Sequence, residues 1–139
     1  MKSFIGIFLL MSYASISAQV YADKPEFETK SIFFGGGNWY VDSQQKQELF
    51  DWIDAVPDLH EYEIVIHSHT DNIGSKEYNA WLSEMRSEAV FQILEMHDIP
   101  ADWLFIRDYG EDNPDFSNDS YMGRLNNRRV DVVLIPPSS

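Results

Sequence analysis

His67-Ser-His-Thr-Asp71-Asn-Ile-Gly74-Ser-Lys-Glu-Tyr-Asn79-Ala-Trp-Leu-Ser83-Glu-Met-Arg86 is the stretch whose reading decides the fold. It continues an alternating run that begins Tyr62-Glu-Ile-Val-Ile66. Alternation puts Tyr62, Ile64 and Ile66 on one face of a strand, with Glu61, Glu63, Val65, His67 and His69 on the other. The polar turn from Thr70 to Gly74 then leads into helical periodicity from about Ser75 to Met96. The apolar stripe of that helix reads Tyr78, Trp81, Leu82, Met85, Ala89, Ile93 and Met96, and Ile99-Pro100 breaks it. A strand that feeds a helix through a short polar loop suits a binding site, because the first N–H groups of the helix face outward and favour anions. Asp71 and Arg86 bracket this junction.

The flanking segments supply the remaining elements. Ser31-Ile-Phe-Phe34 is a β-prone run closed by Gly35-Gly-Gly37. No Gly-Lys-Ser/Thr follows those glycines, so they do not read as a phosphate loop. Asp42 is a good N-cap for a helix over 43–56, where Leu49, Trp52, Ile53 and Val56 fall at helical spacing before Pro57. Trp103-Leu-Phe-Ile106 reads as a third strand, and Gly110 to Asp119 as a loop rich in Asp, Asn, Pro and Gly. A basic knot, Gly123-Arg-Leu-Asn-Asn-Arg-Arg129, precedes a last strand from Val130 to Ile135. The β-α-β-α-β-β order predicts an α/β fold of the α+β sandwich type, with two main helices packed on one mixed sheet. With no internal repeat and no long linker, one domain is expected.

The first residues belong to something else. Met1-Lys-Ser carries one positive charge, Phe4 to Met11 is almost wholly apolar, and small residues follow through Ala18 and Ala22. That is the layout of a secretory signal peptide over 1–22, cleaved after Ala18 or Ala22, followed by a short polar leader over 23–31 and the domain over 32–136. The apolar run falls short of the ~20 residues that span a bilayer, so no transmembrane segment is expected in the mature chain. Ten basic residues stand against 23 acidic ones, for a formal charge of −13, and loss of Lys2 makes the mature chain more acidic still. Such a surface repels nucleic acid and anionic lipid. The absence of cysteine excludes disulfides, thiolate metal sites and a lipid anchor on cysteine. An aromatic content of 14% and a hydrophobic fraction of 44% argue for a packed core.

Two chemistries compete for the central stretch. His67 and His69 share a strand face with Asp71 beyond them, a pattern similar to the H-x-H-x-D-H signature of metallo-β-lactamase-fold hydrolases. Asn72 stands where that signature has its last histidine, and a catalytic zinc needs three protein ligands. His60 and His97 lie near helix ends, outside any ligand spacing. The metal-dependent hydrolase built on His67, His69 and Asp71 is therefore the weaker alternative, and no cofactor is expected. In the other reading, Asn79, Ser83 and Arg86 line one helix face over two turns, with Arg86 set awkwardly between Leu82 and Val90. An aspartate that accepts from an ammonium and an arginine that forks onto a carboxylate together suit an amino-acid head group. A plain Asp71–Arg86 salt bridge tying the turn to the helix explains the same spacing.

The series His69-Thr-Asp71-Asn-x-Gly74, Asn79-x-x-Leu82-Ser83-x-x-Arg86, Gly110-x-x-x-Pro114 and Gly123-Arg-x-x-Asn127-Arg-Arg129-Val130 resembles the OmpA C-terminal-like domain, from about Ile32 to Ile135. The resemblance implies a non-catalytic module that binds peptidoglycan in the envelope of a Gram-negative bacterium by gripping the diaminopimelate of the stem peptide. It implies that Asp71 takes the ammonium and Arg86 the carboxylate, with Asn79 adding a polar contact. It gives Arg128 part of the pocket wall, and backbone donors to the turn around Asn72 and Gly74. Arg124 and Arg129 are expected to pair with the acidic loop. The family's Phe-Asp-x-Asn type turn after the first strand is Gly35-Gly-Gly37 here, and its Gly before His-Thr-Asp is Ser68. The rim is thus expected to be bare unless Asn38 or Tyr40 replaces it. With neither a barrel nor a lipidated cysteine, the expectation is a stand-alone periplasmic copy, associated with the outer membrane through an envelope protein partner. An OmpA-like protein-interaction domain that has lost wall binding is the remaining alternative.

Overall fold

A computed structural model of the chain describes residues 27–110 and 118–138, with Tyr109 and Gly110 described by backbone alone. The expected signal peptide and residues 23–26 of the leader lie outside these residues, as does most of the acidic loop. The elements are β1 (Thr29–Phe33), α1 (Ser43–Asp54), β2 (Glu63–His69), α2 (Lys76–Met96), β3 (Leu104–Gly110), α3 (Tyr121–Asn127) and β4 (Arg129–Ile135), with short 3₁₀ turns at Leu59–Glu61 and Ala101–Trp103. The strands form one mixed sheet in the order β1-β4-β2-β3. β4 runs antiparallel to both β1 and β2, whereas β2 and β3 are parallel. A parallel pair needs a crossover, and α2 provides it, packing back over β2 and β3.

The α+β order expected from sequence is the one observed, with one helix added. The basic knot is not irregular: Ser120 Oγ accepts from Gly123 N and caps α3, which runs through most of it. Two better-separated caps set the longer helices. Asp42 accepts from Gln45 N at the start of α1, and Ser75 accepts from Tyr78 N at the start of α2. The first and third strands shift by a few residues from their expected bounds, to Thr29–Phe33 and Leu104–Gly110.

β2 is inaccessible on both faces, with Ile64, Val65, Ile66, Ser68 and His69 all buried and α2 packed over the strand. Val130, Val132 and Leu134 alternate along β4 into the main core, where they meet Ile32, Phe34, Leu49, Ile53, Ile64, Ile66, Val90, Leu94 and Leu104. The opposite face of β4 carries Arg129 and Asp131.

The buried face of α2 is the main correction. The expected apolar stripe included Tyr78, Trp81 and Met96, yet all three are exposed, Met96 at 78%. Asn79, Leu82, Ser83, Arg86, Ser87, Val90 and Leu94 are buried instead. These also follow a 3.6-residue period, rotated by about one position, and the first half of the stripe is polar. Burying polar groups costs free energy unless they are satisfied, so this polar half of the face is held at a cost to stability. Ser87 donates to Asp108 on β3, whose carboxyl stays pushed up by burial and by Glu84, with that bond offsetting only part of the shift. Leu94→Ala is expected to destabilise the domain by about 2–5 kcal/mol and Met96→Ala by less than about 0.5 kcal/mol in urea titrations. Equal costs would contradict the assigned face.

Candidate functional site

The site forms where β2 ends. The pairing of β2 with β3 slips between Ser68 and His69, so the chain leaves the sheet at an irregularity that re-aims the residues after it. Asp71 then makes a local turn, its Oδ1 accepting from Ile73 N at 3.1 Å. Gly74 completes the turn at φ +99°, a conformation that L side chains rarely adopt. Asn79, one turn into α2, donates from Nδ2 to the Asp71 carbonyl at 3.3 Å and fastens helix to turn.

Arg86 lies two turns further along α2 with no exposed surface. Its Nε donates to the carbonyl of Asn38 at 2.8 Å and its Nη2 to the carbonyl of Gly35 at 3.1 Å. The guanidinium carbon sits 5.1 Å from the centre of the Phe34 ring, a cation–π contact. Nη1 is buried with no hydrogen-bond partner among the described residues. Burial pushes the Arg86 pKa down to about 10; Asp71 and Tyr78 oppose that shift and Arg128 adds to it. The group remains cationic at neutral pH.

Gly36 and Gly37 line the cavity and neither Asn38 nor Tyr40 does, so the loop contributes backbone and no polar side chain there. Gly35 and Asn38 use their carbonyls to clamp Arg86, while the Asn38 side chain accepts from Tyr40 N. Gly36 packs so closely that a Cβ there would stand 3.2 Å from Arg128 Nη1, and one on Gly37 would stand 3.3 Å from the Tyr78 hydroxyl. A Cβ at Gly36 or Gly37 would crowd these side chains, whereas one at Gly35 would have room.

Arg128 follows α3, and its Nη1 lies 3.6 Å from Asp71 Oδ2. Asp71 is thus ion-paired with Arg128 and not with Arg86, which replaces the simple turn-to-helix salt bridge considered from the sequence. Arg128 Nε, like Arg86 Nη1, is buried without a partner among the described residues. A cavity of about 210 Å³ is lined by Gly36, Gly37, Asp71, Ile73, Tyr78, Asn79, Leu82, Arg86 and Arg128. Two guanidiniums against one carboxylate leave this cavity with a positive surplus inside an acidic protein.

Four of the six residues singled out from sequence, Asp71, Asn79, Arg86 and Arg128, line this cavity together. Asn72 and Gly74 do not line it; both are exposed on the turn, where Gly74 serves the backbone geometry. Gly36, Gly37, Ile73, Tyr78 and Leu82 are lining residues that sequence reasoning missed. Tyr78 and Leu82 fall in the expected apolar stripe, and only the polar residues at helical spacing, Asn79, Ser83 and Arg86, point to the inner face.

Neither His67 nor His69 lines the cavity. His69 is buried with Nε2 3.5 Å from Asp131 Oδ2 on β4, and Ser31 on β1 donates to the same carboxylate at 2.7 Å. Arg129 Nε reaches both Asp131 oxygens at 3.0 and 3.1 Å, and its Nη1 donates to the Asn126 carbonyl. Arg129 thus pairs with Asp131 within β4, and Arg124 reaches the end of the acidic loop, donating to the Asn118 carbonyl. Among the described residues no three His, Asp or Glu side chains converge as a metal-ligand group.

Comparison with known proteins matches residues 33–128 to the OmpA family. The outer-membrane lipoprotein YfiB of Pseudomonas aeruginosa is 36% identical over 69 residues, covering 50% of this chain and 41% of the relative. The peptidoglycan-binding protein ArfA of Mycobacterium bovis is 34% identical over 94 residues, covering 68% of this chain and 28% of the relative. The chain thus spans less than half the length of these curated relatives. Among solved structures, the peptidoglycan-associated lipoprotein of Burkholderia pseudomallei has the same fold, with a TM-score of 0.66 at 24% identity, over 76% of this chain and 90% of that one.

Burial by itself raises the Asp131 pKa, but hydrogen bonds from His69, Ser31 and Arg129 outweigh it and hold the carboxyl at about 2. The folded state then binds that proton more weakly than the unfolded state does. The stabilisation is complete above the unfolded pKa, near 4, and is lost as pH falls through about 2. Acid titration of stability should show wild type losing about 2 kcal/mol more than Asp131→Asn between those limits. Parallel curves would contradict this assignment.

Proposed function

Because this chain belongs to the OmpA family, we propose that it is a non-catalytic peptidoglycan-binding module of the cell envelope. Its cavity takes the zwitterionic end of a diaminopimelate residue in the stem peptide. The observation that carries this reading is the fully buried Arg86, whose Nη1 donor is left over after the loop carbonyls have taken Nε and Nη2. A carboxylate is the partner that best offsets such a charge in a desolvated setting. Asp71, already ion-paired to Arg128 at one oxygen, accepts from the ligand ammonium, and Asn79 holds the Asp71 backbone in register. Arg128 forms the wall opposite the helix, and the turn around Asn72 and Gly74 borders the mouth.

A non-catalytic role suits a cavity in which each ionised group has a holding partner and none is paired with a nucleophile. The names of the relatives, one peptidoglycan-binding and one peptidoglycan-associated, support the same ligand. Clamping of Arg86 by the glycine loop's carbonyls favours this reading over that of an OmpA-like interaction domain that has lost wall binding. Residues 1–22 act in this reading as an export signal, so that the domain works in the periplasm, near the outer membrane where an envelope protein partner holds it there.

Co-sedimentation with insoluble sacculi tests the proposal. Asp71→Ala and Arg86→Ala each remove one partner of a desolvated charge contact, a loss commonly worth about 2–5 kcal/mol and enough to abolish sedimentation. Asp71→Ala is the cleaner variant, because Arg86→Ala also strips two carbonyls of their donor and lowers the melting temperature. Circular dichroism checks that both remain folded. If both folded variants still sediment with sacculi, the cradle is wrong.

A further inference from the structure

Beside the cavity, three aromatic rings form one contiguous exposed patch. Trp39 and Trp81 meet edge to face with centroids 5.3 Å apart, and Tyr78 lies 5.8 Å from Trp81. Their exposures are similar, at 40%, 43% and 42% for Trp39, Trp81 and Tyr78. Single exposed aromatics are ordinary on protein surfaces, whereas a joined group bordering a cavity marks a contact surface. Tyr78 belongs to the cavity wall as well, so patch and cavity are continuous. The patch is also held in place. Arg86 clamps the Asn38 carbonyl and Asn38 Oδ1 accepts from Tyr40 N, which fixes the backbone on both sides of Trp39.

We propose that this platform is a saccharide subsite, stacking a sugar ring of the glycan strand whose stem peptide enters the cavity. The inference rests on the peptidoglycan reading of the cavity and extends it to a second part of the same ligand. A stem peptide is covalently joined to a sugar, so a head group in the cavity brings pyranose rings within reach of the surface that borders it. The C–H face of a pyranose packs on aromatic faces, and indole N–H and phenol O–H groups stay available at the ring edges for its hydroxyl and acetamido oxygens. Amidation of the muramic acid leaves that part of the strand uncharged, which suits the surface of a chain with a formal charge of −13.

Two ligands separate this subsite from the cavity: a diaminopimelate-containing tetrapeptide, and the same tetrapeptide carrying its disaccharide. In titrations of the purified protein followed by calorimetry, the disaccharide form should bind about tenfold more tightly. Trp81→Ala, which alters no cavity-lining residue, should erase that advantage and leave the tetrapeptide Kd within about twofold of wild type. Trp39→Ala should do the same, giving a second variant should one fold poorly. Equal affinity of wild type for the two ligands would overturn the subsite. So would a folded Trp81→Ala protein that keeps the full advantage, the result expected of rings that face a protein. Failure of wild type to bind either ligand would overturn the cavity reading as well, a distinct outcome.

Discussion

Arg86 donates to the carbonyls of Gly35 and Asn38 from a position with no exposed surface, and much of the architecture follows from keeping that charge there. A guanidinium removed from water needs compensation on every side. The Phe34 ring covers it, the glycine loop supplies two carbonyls, and Asp71 supplies the nearby negative charge. The loop can approach so closely because Gly36 and Gly37 carry no side chains to strike Arg128 and Tyr78. Asp71 in turn is held by Arg128 and by its own turn, so three separate parts of the chain meet around one cation.

That constraint also explains why the inner face of α2 departs from ordinary helix packing. Toward its C-terminus the face is a normal core stripe, with Val90 and Leu94 against the sheet. Toward its N-terminus the same face turns polar, because Asn79, Ser83 and Arg86 border the turn and the cavity. The large apolar residues at this end, Tyr78 and Trp81, are displaced to the rim, where with Trp39 they make the exposed aromatic patch. Stability is ceded at the site and recovered in the β4-centred core, consistent with the general conflict between a preorganised polar site and maximal packing.

This division sets what could be read from the sequence. The strands, the two long helices and the Asp42 cap were legible because alternation, helical spacing and the Gly and Pro breaks all act locally. Asp71, Asn79, Arg86 and Arg128 were legible as a group because the order of motifs resembles a known family. Which face of α2 points inward was not, since an apolar-stripe rule favours Trp81 and Met96 over a buried arginine. The clamp on Arg86 was also hidden, as it uses backbone carbonyls, and a carbonyl leaves no mark on residue type. His69 and Arg129 went to Asp131 because a four-stranded register brings β1, β4 and β2 together there, a contact that no short-range spacing encodes.

The central claim is that the leftover donor on Arg86 grips a carboxylate, and it can be tested on the ligand without touching the protein. Isothermal titration would compare a stem peptide carrying diaminopimelate with one carrying lysine in its place, which keeps the ammonium and lacks the side-chain carboxylate. The account predicts binding of the first at least about thirtyfold tighter, since loss of one partner of a desolvated charge pair costs about 2–5 kcal/mol. Equal affinity for the two peptides would contradict it.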